Sequence, residues 1–146
     1  MKKLLLGMIA IALPCTAMAG TSYAAFEGYI MALNTMAPNQ AKHTVTYKGY
    51  VEKKCGQTLM LENISSAGFR NIITALDVAD SMIQNGLERE SLETDIRLSV
   101  MNYTLCTETF DTTMKSIVAD KRLMGRYPHY AQFIDTWIKV DTNLAN

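Results

Sequence analysis

The chain has 146 residues, of which 49% are hydrophobic and 19% charged, with 14 Lys+Arg against 14 Asp+Glu. That length fits one domain, and that much apolar surface excludes a disordered chain. Zero net charge argues against a nucleic-acid binder, which needs a basic excess to displace counterions.

Lys2 and Lys3 precede an apolar run from Leu4 to Leu13, and Ala17-Met18-Ala19 has the small-x-small form of a cleavage site. Residues 1–19 therefore read as a secretory signal peptide, cut between Ala19 and Gly20, with 20–146 as a single exported domain. The run is about ten residues, against the ~20 a spanning helix needs. Pro14 in front of Cys15 disfavours a lipid anchor at that cysteine. Removing 19 of 146 residues leaves 127, and losing Lys2 and Lys3 leaves 12 basic against 14 acidic residues, net −2. A mildly acidic domain suits neither nucleic acid nor an anionic membrane surface.

Two of the three cysteines remain, Cys55 and Cys106. In an oxidising compartment such a pair forms a disulfide. A loop of about 50 residues closed in this way stabilises the fold by ~4 kcal/mol on the chain-entropy argument.

Within 22–36, Tyr23, Phe26, Ile30, Leu33 and Met36 recur every three or four residues and predict an amphipathic helix, capped by Thr21 or Ser22 and ended by Ala37-Pro38-Asn39. Residues 43–61 are ambiguous. His43-Thr44-Val45-Thr46-Tyr47 suits a strand, whereas Tyr47, Tyr50, Val51, Cys55 and Leu59 make a helical stripe. Helix is the preferred reading, because Glu52-Lys53-Lys54 falls on the opposite face and no partner strand is evident.

Ser65 or Ser66 caps the next helix, whose stripe of Phe69, Ile72, Ile73, Leu76, Ala79, Met82 and Ile83 stops at Asn85-Gly86. Ser91 is expected to cap another, with Leu92, Ile96, Val100, Tyr103, Cys106, Phe110, Met114 and Ile117 continuing the rhythm to Leu123. A break is expected in 107–113, where threonines lower helix propensity. Gly125 closes that region, and Pro128 opens a last helix burying Phe133, Ile134, Trp137, Ile138 and Leu144. The sum is an all-α bundle of five to six helices with one disulfide and loops at 37–42, 61–65, 85–90 and 124–127.

No motif carries chemistry. His43 and His129 are isolated, without the spacing of a zinc or haem site. There is no nucleophile elbow and no phosphate-cradling glycine loop. Among acids that could form a glycan-hydrolysing pair, Glu27, Glu52, Glu62 and Glu108 mostly fall on polar helix faces. No catalytic residue, metal or cofactor is therefore expected. Methionines such as Met36, Met82 and Met114 fall on core stripes. Two surface segments remain. The densest charge cluster runs from Leu87 to Glu93, and its loop makes Asn85, Gly86, Glu88, Arg89 and Glu90 candidate contact residues. The second combines Lys121, Arg122 and Arg126, cations expected at a helix C-terminus, with Tyr127, His129 and Tyr130, a composition found at interface hot spots.

The signal peptide, the length, the helix order and a helix carrying Tyr50 toward Cys55 resemble the periplasmic immunity proteins of type VI secretion, particularly those that neutralise peptidoglycan amidases. The resemblance implies a non-enzymatic, periplasmic, helical, disulfide-containing inhibitor, often dimeric. Its partner would be a secreted peptidoglycan-degrading effector, blocked when a rigid protrusion fills the substrate cleft. It supplies no motif from which site residues transfer. The 85–90 loop is the expected inserting element, with 126–130 second. A periplasmic chaperone is the alternative reading, and a small cell-wall hydrolase a further one.

Overall fold

A computed structural model describes residues 16–106 and 110–144, with side chains described over 23–106 and 110–140. Residues 1–15, which hold most of the expected signal peptide, and Glu108 lie outside the described residues. Eight helices are present among those described, where five to six were expected: α1 (Thr16–Met36), α2 (Pro38–Cys55), α3 (Leu61–Ser65), α4 (Ala67–Gln84), α5 (Ser91–Tyr103), α6 (Phe110–Ala119), α7 (Lys121–Arg126) and α8 (Pro128–Leu144).

The two extra elements arise where chain reversal is tighter than sequence punctuation suggests. Proline is tolerated in the first turn because its missing N–H would be unpaired there anyway. Pro38 thus opens α2 directly after Ala37, so residues 38–42 are helical and not loop. Of the strand-or-helix segment 43–61, residues 43–55 are helix, ended by Gly56 in the left-handed region at φ 65°, whose N–H returns to Glu52 O at 2.9 Å, while 56–60, with Leu59, lie outside the helix. Residues 61–65, expected as a loop, form the short α3, and Gly125 lies inside α7.

The stretch from Leu92 to Leu123, expected to break in 107–113, is divided twice: α5 ends at Tyr103, α6 begins at Phe110, and α7 starts separately at Lys121. Asp120 caps α7, its Oδ1 accepting the N–H groups of Arg122 and Leu123 at 3.0 Å each. The Leu123 N–H foremost, then the Tyr103 hydroxyl and the Arg122 N–H, hold the Asp120 carboxyl below the usual aspartate range against the opposing effect of burial. Lys121 and Arg122 consequently sit at a helix N-terminus, not at the C-terminus where the dipole would favour them.

The most strongly amphipathic helix sits at the centre. α4 buries Phe69, Ile72, Ile73, Ala75, Leu76 and Ala79 and touches α2, α3, α5, α6 and α8. Ser66 caps it as expected, accepting the Phe69 N–H at 3.3 Å. Close approach to α6 needs a residue without a side chain, since a Cβ on Gly68 would lie 2.6 Å from the Asp111 backbone nitrogen. Beside that contact, the rings of Tyr47, Phe69 and Phe110 pack within 5.1–6.0 Å of one another.

The Cys55 and Cys106 sulfurs are 2.07 Å apart, a disulfide distance, and the Cα atoms are 5.4 Å apart. This pair does not act alone. Tyr47 Oη lies 2.8 Å from Thr104 Oγ1 in the interior, and the Tyr50 hydroxyl donates to Met101 O at 2.9 Å. Lys54 Nζ donates to the carbonyls of Met101 and Thr104, satisfying the end of α5 with a cation where the dipole is negative. Burial pushes the Tyr47 phenol up to about 12, with the Thr104 bond partly offsetting it.

α1 departs from expectation in burial. It starts at Thr16, ahead of the expected caps Thr21 and Ser22, and none of its described side chains is buried; Tyr23 is 64%, Met31 71% and Met36 79% exposed. Met36 is thus surface and not core, Met82 is half-buried, and Met114 alone of the three is fully enclosed. Among the described residues no helix is long and apolar enough to cross a membrane.

Candidate interaction surface

The two surface segments singled out in the sequence lie 36 or more residues apart along the chain yet form one end of the bundle. The first begins where α4 stops. Asn85 returns its N–H and its side-chain amide to Ser81 O at 3.0 and 2.8 Å. Gly86 follows at φ 67°, donating to Ile83 O, and Leu87 donates to Met82 O at 2.9 Å. This is the double-bonded helix stop that a left-handed glycine permits. It fixes the direction in which 87–90 leaves the helix, and Leu92 N–H bonded to Arg89 O at 2.9 Å fixes the re-entry into α5.

The loop is held from below. Glu88 is half-buried, and its Oε1 accepts the Tyr130 N–H, a donor of the first turn of α8, at 2.9 Å. A carboxylate on an otherwise unpaired helix N-terminal N–H is favourable on both hydrogen-bonding and dipole grounds. Around it, Asn85, Gly86, Leu87, Arg89 and Glu90 stay exposed.

The second segment is held by α5. Asp95 Oδ2 accepts from the Tyr127 hydroxyl at 2.5 Å and from Arg126 at 2.8 Å, and Ser91 Oγ lies 2.8 Å from the same hydroxyl. The Tyr127 bond first, then Arg126 with its charge, keep the Asp95 carboxyl below the usual aspartate range against the opposing effect of burial. Ser91 was expected as a cap; Glu90 occupies that position, and the Ser91 hydroxyl is used on Tyr127 instead.

Tyr127 is fully buried, as is Tyr130, so neither ring is offered at the surface. Their burial follows from α7 and α8 meeting at Tyr127, which turns both rings inward. Tyr130 packs over α4 with its hydroxyl toward Ala75 O at 3.3 Å, and burial raises its phenol. The face presented outward therefore comprises Asn85, Gly86, Leu87, Arg89 and Glu90 from one segment and Arg126 and His129 from the other, with Glu88 and Tyr127 beneath as braces. Sequence reasoning gave Ser91 only the role of a cap and counted Tyr127 and Tyr130 as surface, and it missed that Ser91 and Asp95 hold the Tyr127 hydroxyl. Ser91 and Asp95, four apart on the polar side of α5, carried the one available signal.

A second polar cluster lies between α2, α4 and α5. His43 is completely buried, with Nε2 2.7 Å from Asp80 Oδ2, and Gln40 donates to Asp77 Oδ2 at 3.0 Å one turn away. Arg97 holds Glu93 at 2.6 Å. Burial disfavours the Glu93 charge, but Arg97 outweighs it, aided by contacts to Asp80 and His43, and the carboxyl titrates below its ordinary value. His43 Nδ1 and Asp80 Oδ1 are buried without a hydrogen-bond partner. His43 also lines an apolar cleft of about 160 Å³ with Tyr47, Tyr50 and Val100. The Thr46 hydroxyl, which also lines this cleft, donates to Lys42 O at 2.9 Å.

Of the carboxylates considered for glycan chemistry, Glu27 and Glu62 are exposed on α1 and α3, while Glu52 accepts from Lys48 and from the Leu59 N–H. These three do not share a cleft. Among the described residues no group of three or more His, Cys, Asp or Glu side chains could hold a metal ion. Comparison with protein-family models, curated proteins and solved structures found no match.

Proposed function

We propose that this protein acts by binding rather than by catalysis, as a periplasmic immunity protein that occupies the substrate cleft of a secreted peptidoglycan-degrading effector. The observation that carries the reading is the Glu88–Tyr130 bond, which fastens a charged, exposed loop to a second exposed segment on a rigid end of the bundle. A protrusion that binds tightly by shape must be ordered before it meets its partner, because ordering it on binding subtracts from affinity. Here the loop leaves through a fixed helix stop, re-enters through a turn and is pinned in between. Arg89, Glu90, Arg126 and His129 then give the face charges of both signs, suited to polar contacts around a cleft.

In this mechanism no bond is made or broken. The loop fills the volume that a glycan strand or stem peptide would occupy, and the inhibited enzyme stays intact. The reading requires a secreted hydrolase encoded beside this gene, and the test is hydrolysis of purified peptidoglycan sacculi by that enzyme, titrated with the purified protein. Loss of activity at one equivalent supports the reading, and full activity at tenfold excess refutes it.

The chaperone alternative draws on a different observation, the exposed apolar side chains of α1. It anticipates suppression of aggregation across unrelated clients at substoichiometric specificity, where immunity anticipates one stoichiometric partner.

A further inference from the structure

A groove of about 310 Å³ runs between α1, α2, α4 and α8, away from the 85–90 loop, and we propose that it binds a monosaccharide-sized acidic sugar. Its size is at the lower end of small-ligand sites, which run from ~300 Å³ upward. Its walls combine what a pyranose carboxylate needs. Tyr29 of α1 and Trp137 of α8 supply aromatic surface from two separate helices, against which the apolar C–H face of a sugar ring can lie. Asn71, Thr74 and Gln40 supply amide and hydroxyl groups for its hydroxyls.

Arg70 completes the set. Its backbone N–H closes the first turn of α4 on Ser66 O at 3.1 Å, but its guanidinium engages no other described residue, in contrast to Arg97 and Arg126, which both hold carboxylates. An exposed guanidinium at the edge of an aromatic-walled groove presents a planar fork of donors matched to a carboxylate. Asn71 and Thr74, one and four positions further on the same helix, are likewise unengaged. Three neighbouring polar side chains that line one groove and have no partner among the described residues distinguish it from the His43 cleft, whose polar groups are mostly spent on one another.

Trp137 is the one tryptophan of the chain, so its emission reports on this groove without labelling. The test titrates the isolated protein with N-acetylmuramic acid, N-acetylglucosamine and acetate. The first two differ in the carboxylate-bearing arm. The expected result is a saturable emission change with N-acetylmuramic acid, at least about tenfold weaker binding of N-acetylglucosamine, and a similar loss for Arg70→Ala. Trp137→Phe, followed by amide chemical shifts at 70–74, should show weakened binding by a readout independent of fluorescence. The proposal is overturned if N-acetylmuramic acid gives neither an emission change nor amide shifts. Equal binding of the two sugars, Arg70→Ala without effect, or acetate binding as well as the sugar would overturn it too. Because no effector is present, its outcome is separate from that of the immunity reading.

Discussion

The side chain of Glu88 reaches across the end of the bundle to the backbone of Tyr130, 42 positions away, and the 2.9 Å bond between them joins the two exposed segments into one face. Replacing Glu88 with Ala should free the loop with little effect on the rest of the fold. A stability loss of about 1 kcal/mol is expected, together with faster hydrogen exchange at the Tyr130 amide. Glu88→Gln, which keeps an acceptor oxygen, should retain most of the protection. Unchanged exchange in Glu88→Ala would show that the bond does not order the face.

Asp95 braces the other segment, and the consequence depends on pH in a definite direction. Its carboxyl is held below the ordinary aspartate value by Tyr127 and then Arg126, so its contribution is complete above the unfolded-state pKa and is lost as pH falls through the lower folded-state value. Asp95→Asn should therefore lower the melting temperature at neutral pH, by an amount corresponding to roughly 1–3 kcal/mol. The gap between variant and parent should close in acid below the usual aspartate range, as followed by thermal melts across pH.

Gly68 offers a test in which two effects have opposite signs. Alanine in place of glycine within an exposed helix ordinarily stabilises by up to ~1 kcal/mol. Here the added Cβ would meet the Asp111 backbone at 2.6 Å and push α4 from α6, so Gly68→Ala should destabilise by about 1–3 kcal/mol in chemical denaturation.

The Cys55–Cys106 pair and the Tyr47, Tyr50 and Lys54 bonds join the C-terminal part of α2 to the end of α5. Cys55→Ser with Cys106→Ser should accordingly cost about 2–4 kcal/mol while leaving helicity at 25 °C intact by circular dichroism. Extensive loss of helix on reduction would mean that the polar clamp contributes little.

His43 and Asp80 are best separated by a double-mutant comparison. Asp80→Ala removes the partner of a fully buried imidazole and should cost about 3 kcal/mol. The double replacement His43→Leu with Asp80→Leu removes the polar groups together, and denaturant melts should show it less destabilising than Asp80→Ala alone.

Much of this architecture was legible because it is local. The α4 stripe from Phe69 to Ile83, the Ser66 cap and the Asn85-Gly86 stop are each written within a turn or two of the residues they govern. The 85–90 loop followed from the same punctuation. What escaped detection is non-local. Periodicity from Leu92 to Leu123 continued through two chain breaks, because a bend preserves the face each helix turns inward. Periodicity in α1 showed that one side is apolar but could not show how fully it is covered: Phe26, Ile30 and Leu33 are half-buried, while Tyr23 and Met36 stay exposed. Tyr127 and Tyr130 resembled a hot spot by composition, yet their burial depends on where α4 and α5 lie. The pairing of His43 with Asp80 and of Asp95 with Tyr127 spans more than 30 residues, beyond any motif.

The most direct measurement is the residual rate of sacculus hydrolysis by the secreted hydrolase that the proposed function requires beside this gene, with one equivalent of parent protein, set beside one equivalent of a variant carrying Glu88→Ala, Arg89→Ala and Glu90→Ala. The account predicts near-complete inhibition by the parent and recovery of most of the hydrolytic rate with the folded variant. Inhibition equally strong with both proteins, or absent with both, would contradict it.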